Sequence, residues 1–192
     1  DKGDDGDPGT VANLPWIDAL DNGVTGDGTT DDSTALQAII DALPDEGGNI
    51  LLTGTVNIGT ASIDLSGKRN IRFIGLGGNG AGASQLSSIK SSKASGTAID
   101  CRDTFAVSFE RLMLLNDNDA FTGILLDYGL ITTGSALMSL DDFLISLATG
   151  ASTAKGLSLY GATQGNFRRG SFLGDGFLLA LQNVSATGFC NA

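Results

Sequence analysis

The sequence predicts an all-β chain wound as a solenoid, a parallel β-helix, and three observations carry that prediction. The first is composition: 28 of 192 residues are Gly, and Asp outnumbers Glu by 20 to 2. Asp and Gly favour turns, whereas long helices draw on Glu, Lys, Leu and Ala. The second is patterning. Beyond residue 46, short apolar runs alternate with clusters of Gly, Ser, Thr, Asn and Asp, and no run is followed by a helical pattern, which excludes βαβ units. The third is a degenerate internal repeat in which two kinds of segment alternate.

Residues 1–10 read Asp-Lys-Gly, Asp-Asp-Gly, Asp-Pro-Gly, Thr. Glycine at strict period three is what a collagen triple helix demands, because only a hydrogen fits at its crowded axis. A flexible Gly/Asp linker is the competing reading. The collagen-like reading implies three chains. Three triplets cannot hold a triple helix alone, so they read as the end of a longer stem, and the chain, which starts without Met, reads as a segment of something longer.

Residues 11–46 form a junction. Pro15-Trp16-Ile17 holds the sole Trp, expected to anchor against the domain or a neighbouring chain. Gly26 to Ser33 reads as a loop carrying three carboxylates. Ala35, Leu36, Ile39, Ile40 and Leu43 recur at helical spacing and predict an amphipathic helix from Asp32 to Leu43. Asp31, Asp32 and Ser33 stand where a cap and first-turn acids offset the open amides, and Pro44 with Gly47-Gly48 ends the helix. Asp27, Asp31 and Asp32 are also candidate calcium ligands, since Ca²⁺ takes hard oxygens from short acidic turns. Their spacing does not match an EF-hand loop, and capping accounts for two of the three, so no cofactor is expected.

Residues 47–192 are expected to form the first coils, cut short at the C-terminal end. The expected strands are Ile50–Leu52, Val56–Ile58, Ile71–Ile74, Ala98–Cys101, Val107–Leu115, Ile124–Leu126, Ala136–Leu147, Leu157–Tyr160, Phe172–Leu173 and Phe177–Leu181. One repeating segment is a glycine followed by an apolar strand, at Gly96, Gly123, Gly156 and Gly176. The other is an apolar residue, two charges and a second apolar stretch, at Phe109-Glu110-Arg111, Leu140-Asp141-Asp142 and, more weakly, Phe167-Arg168-Arg169. A solenoid stacks like strands on like. Glu110, Asp141 and Arg168 are therefore expected in one column, and Arg111, Asp142 and Arg169 in a second. Glu110, Asp141 and Asp142 are also the candidate catalytic acids, because neighbouring coils can bring two carboxylates to the spacing that glycosidases use.

Several function classes fall away. With no His, the chain has no Ser-His-Asp or Cys-His nucleophile and no His-based zinc site. Cys101 and Cys190 form no CxxC and read as buried free thiols. The net charge is −11, and residues 1–46 account for all of it, with twelve acids against Lys2. The remainder has no basic stripe, which argues against nucleic acid, and an acidic head argues against an anionic membrane. No apolar run approaches a membrane span. Lys68-Arg69 and Arg168-Arg169 are basic pairs that read as solvated turn charges or contacts to an acidic glycan.

Gly26-Asp27-Gly28-x-Thr30-Asp31-Asp32-Ser33-x-Ala35-Leu36-Gln37-x-x-Ile40, followed by Gly47-Gly48-Asn49-Ile50-Leu51-Leu52, resembles the opening of the pectate-lyase-like, right-handed β-helix superfamily found in phage tailspikes and secreted polysaccharide-degrading enzymes. The resemblance covers about residues 23–75 and departs at Leu52-Thr53-Gly54, where the family usually carries a proline-containing turn. It implies a right-handed solenoid whose N-terminal end is capped by the helix. With the collagen-like triplets it implies a homotrimeric tail spike, fibre or minor tail protein of a virion, made in the host cytoplasm, bound to other tail proteins and meeting host-surface polysaccharide. The alternatives are a tailspike depolymerase, with its catalytic groups beyond residue 192, and a secreted bacterial polysaccharide lyase.

Overall fold

The structure, a computed structural model, describes residues 14–77, 86–129, 137–160 and 164–182. The triplets of residues 1–10 and Cys190 lie outside the described residues. The chain begins with β1 (Trp16–Asp18), a 3-10 turn at Leu20–Asn22, β2 (Asp27–Asp31) and α1 (Ser33–Asp41). There follow β3 (Gly48–Leu52), β4 (Thr55–Gly59), β5 (Ile63–Asp64), β6 (Ile71–Gly75), β7 (Ser87–Ser91), β8 (Thr97–Asp100), β9 (Val107–Glu110) and β10 (Leu112–Asn116). The last are β11 (Ile124–Gly129), β12 (Leu137–Asp141), β13 (Leu144–Leu147), β14 (Lys155–Tyr160), β15 (Gln164–Arg168), β16 (Ser171–Leu173) and β17 (Phe177–Gln182).

These strands form three parallel sheets, ordered β1-β3-β6-β9-β12-β15, β2-β4-β7-β10-β13-β16 and β5-β8-β11-β14-β17. From β3 to β17 the chain visits the first, second and third sheet in that order on every circuit. Each strand therefore pairs with its counterpart one circuit away, and equivalent side chains line up in rows.

The inward rows make the core. Ile50, Phe73, Phe109, Leu140 and Phe167 share one row of the first sheet, and Phe73 and Phe109 stack with centroids 4.9 Å apart. Val56, Ile89, Leu114, Ile145 and Phe172 form the matching row of the second sheet, and Ile63, Ile99, Leu126 and Leu157 that of the third. Burial of each such side chain contributes about 1.5–3 kcal/mol.

Two expected strands are divided. Val107–Leu115 and Ala136–Leu147 read as continuous runs, but Arg111 and Asp142 adopt left-handed backbone, with φ of 51° and 50°, and Arg169 does so at 49°. A single such residue turns the chain from the first sheet into the second, so the three stack as a column of corners. In the sequence each corner shows only as a pair of charges inside the run, with no Gly or Pro turn signal ahead of it.

α1 is shorter than the expected Asp32–Leu43. Leu36, Ile39 and Ile40 are buried, and Gln37 on the same helix does more than face solvent. Its Nε2 donates to Asp64 O at 2.9 Å, and its Oε1 accepts from Asp64 N at 2.8 Å. That side-chain amide completes the hydrogen bonding of β5, the edge strand of the third sheet, so the helix covers an edge that would otherwise invite pairing. The expected loop before it contains β2, which pairs with β4.

The glycine-led segments also shift. Thr97 pairs with Ile124 as the glycine alignment requires, but Ile124 pairs with Lys155, not with Leu157. Ala154 takes the place of the expected Gly156, and the strand slips by two residues, which leaves its inward face unchanged.

Candidate functional site

The corner between the first and second sheets gathers the charged pairs. Asp141 pairs in register with Glu110 on one side and Arg168 on the other. Arg111 N donates to Asp141 O, and Asp142 N donates to Arg168 O. Both columns expected from the repeat are therefore present.

Each of the three candidate acids meets an arginine. Arg72, on β6 one circuit before β9 and in register with Ser108, donates from Nε to Glu110 Oε1 at 2.7 Å and from Nη2 to Oε2 at 2.5 Å. Arg168 Nη2 donates to Asp141 Oδ2 at 2.8 Å. Arg169 holds Asp142 through two bonds of 2.5 and 3.1 Å, and its Nη2 also lies 3.0 Å from Asp141 Oδ1, without hydrogen-bond alignment. The Arg169 hydrogen bonds keep the Asp142 carboxyl below its ordinary range, and Glu110 holds the Arg72 guanidinium above its own. Such fork-to-carboxylate pairs fix geometry. Beside them lies a groove of about 530 Å³ whose lining includes the apolar Leu76, Leu86 and Phe143 and the charged Arg111, Asp142 and Arg169. Apolar side chains beside guanidinium donors can hold the ring faces and the hydroxyl or carboxylate groups of a sugar.

The acidic loop is engaged with its own backbone. Asp27 Oδ1 accepts from Thr29 N and Thr30 N, both at 2.7 Å, and Oδ2 accepts from Thr30 Oγ1 at 2.9 Å. The amide of Thr30 above all holds this carboxyl far below the usual carboxylate range. Asp31 accepts from Ser33 N at 3.0 Å, which is the capping contact. Asp32 makes no side-chain cap. It is buried, and its two oxygens accept from Thr25 N at 2.7 Å and Gly26 N at 3.1 Å, so it ties the preceding loop to the helix start. Among the described residues no group of three His, Cys, Asp or Glu side chains is arranged to hold a metal ion.

A second acidic row was not evident in the sequence. Asp64, Asp100 and Asp127 align on the third sheet, followed by Ser158. Arg102 binds Asp100 through a fork and reaches Asp127 at 4.0 Å. Burial nonetheless pushes the Asp127 carboxyl up. The signal was available as the shared Ile-Asp and Leu-Asp steps of β5, β8 and β11, read in register. Cys101 lies beneath this row, buried and free, with its thiol pushed up by burial. Trp16, expected as an anchor, is 64% exposed at the edge of the first sheet. Lys68 and Arg69 border the cleft beside Leu43 and Pro44, apart from the corner columns.

No family profile and no curated protein matches the chain. Among solved structures, ORF18 of Geobacillus virus E2 is similar over 82% of this chain and 35% of that one, with 21% sequence identity and a TM-score of 0.40. The chain thus spans about a third of that protein's length.

Proposed function

We propose that the chain is a right-handed parallel β-helix carried on a collagen-like stem, and that it serves a phage as a homotrimeric tail spike or fibre component for host-surface attachment. The observation that carries this reading is the repeated visit of one strand to each of three parallel sheets under a covering helix. It supports the architecture implied by the Gly26–Leu52 resemblance, and the period-three glycines before it support three chains.

At this corner, attachment is favoured over cleavage by the pairing of the candidate acids. A glycosidase needs two carboxyls free to face the bond it cleaves. Glu110, Asp141 and Asp142 instead meet Arg72, Arg168 and Arg169. Carboxylates held in these pairs are engaged with their own chain, so the corner is read as a contact surface.

The test incubates the intact protein with a panel of bacterial capsular, O-antigen and exopolysaccharides. Retention of a polysaccharide at unchanged chain length is the expected result. Release of new reducing ends or of unsaturated uronates would establish the depolymerase reading in its place, and retention of none would overturn attachment.

A further inference from the structure

The charges at the corner between the first and second sheets do not balance. Glu110, Asp141 and Asp142 stand there with Arg72, Arg111, Arg168 and Arg169. Arg72 takes both oxygens of Glu110, Arg168 binds Asp141, and Arg169 takes both oxygens of Asp142. Arg111 is left over. Its side chain has no hydrogen bond or ion pair among the described residues, and it acts on Asp142 only as a charge at longer range.

The fold holds this guanidinium in place without using it. Arg111 turns the corner with its left-handed φ of 51°, and its amide donates to Asp141 O on the next circuit. On the circuit before, Gly75 packs so closely that a Cβ there would stand 2.1 Å from Arg111 O. The backbone is therefore pinned from both sides, whereas the residue is exposed. Arg111 lines the groove together with Arg169 and Asp142. Those two satisfy each other, so the lining keeps one uncompensated positive charge in a chain of net charge −11. Leu76, 49% exposed, adds apolar surface to the same groove. A planar guanidinium offers parallel N–H donors that match the paired oxygens of a carboxylate or a phosphate.

We infer that the groove binds an anionic polysaccharide through such an oxygen pair, a sugar carboxylate or a bridging phosphate, and that Arg111 selects it over a neutral chain. This rests on the attachment reading above. The Asp142–Arg169 pair borders the site as a closed, neutral neighbour. Leu76 meets the C–H face of the adjoining sugar ring.

Affinity electrophoresis of the intact protein tests this on the bacterial panel, extended by four named probes. Hyaluronate and alginate supply carboxylates, poly(glycerol phosphate) supplies phosphate, and dextran is neutral. Hyaluronate, alginate and every carboxylated member of the panel are also run after reduction of their carboxyls to alcohols. Retention of at least one anionic polysaccharide is expected, with about tenfold weaker binding by Arg111→Gln. Loss of retention on carboxyl reduction assigns the anion as carboxylate, and retention of poly(glycerol phosphate) assigns it as phosphate. Arg111→Lys should keep part of the binding, and Lys68→Gln, at a separate cleft, should keep all of it. Arg111→Gln removes no partner, so its melting temperature should match that of the unaltered protein. Equal losses in Arg111→Gln and Lys68→Gln would reduce the effect to general charge and overturn the assignment. Retention of neutral chains alone, or anionic retention indifferent to Arg111→Gln, would also overturn it and leave attachment standing. Retention of none would remove attachment itself, and this inference with it.

Discussion

Asp32 and its neighbour Asp31 look alike in the sequence and do different work. Asp31 caps the first amide of α1 at the surface, whereas buried Asp32 accepts two successive amides from the loop behind it. Asp32→Ala strands two donors and is expected to cost about 2–4 kcal/mol. Asp31→Ala should cost about 1 kcal/mol or less, and urea denaturation of the two variants checks the order. The positions were legible from the helix-start pattern, but their roles were not, because the partners of Asp32 lie six and seven residues upstream and depend on how the loop closes. Two other aspartates set opposite pH trends. The folded state lowers the Asp27 carboxyl, so its contribution to stability is present above about pH 4 and is lost as the pH falls below that. A carboxyl titration by NMR should find its midpoint well below the ordinary range, and Asp27→Asn should flatten the acid limb of the stability curve. Burial raises Asp127, so its favourable term belongs to low pH and disappears as the pH rises through its folded value. Asp127→Asn is therefore expected to stabilise the protein at pH 7, with the gain shrinking toward pH 4.

At the scale of elements, backbone shape decides what substitutions do. Ala106 holds a left-handed φ of 57°, which an L side chain adopts at a cost that glycine avoids. Ala106→Gly should raise stability by about 0.5–1 kcal/mol. Gly123 shows the opposite. A Cβ there collides with Gly96 O on the adjacent circuit and sits 2.7 Å from the Phe121 ring, so Gly123→Ala should cost about 3 kcal/mol or more, read by thermal or denaturant unfolding. Strand rows were legible where apolar residues alternate, as in β10 and β12. β7, Ser87 to Ser91, was not, because Ile89 is its sole apolar residue and its place depends on pairing with β4 and β10. Nor was the two-residue slip at Lys155, since glycine marks a turn well and a register poorly. The charge columns were legible because two adjacent charges between apolar runs have one place to go in a stack of corners.

On the scale of the whole molecule, three parallel sheets, the third with its β5 edge covered by α1, have faces set by rows, not by single residues. That is why the candidate corner could be located from sequence while its chemistry could not. The repeat put Glu110 beside Asp141 and Asp142 beside Arg169, but Arg72 reaches Glu110 from 38 residues upstream, and nothing in its local sequence links the two. The proposed role in attachment depends on the trimer, because several weak glycan contacts on three copies act together. The molar mass of the intact protein, measured by light scattering in solution, tests this most directly. The account predicts three times the mass of one chain, and a monomer at the same concentration would contradict it.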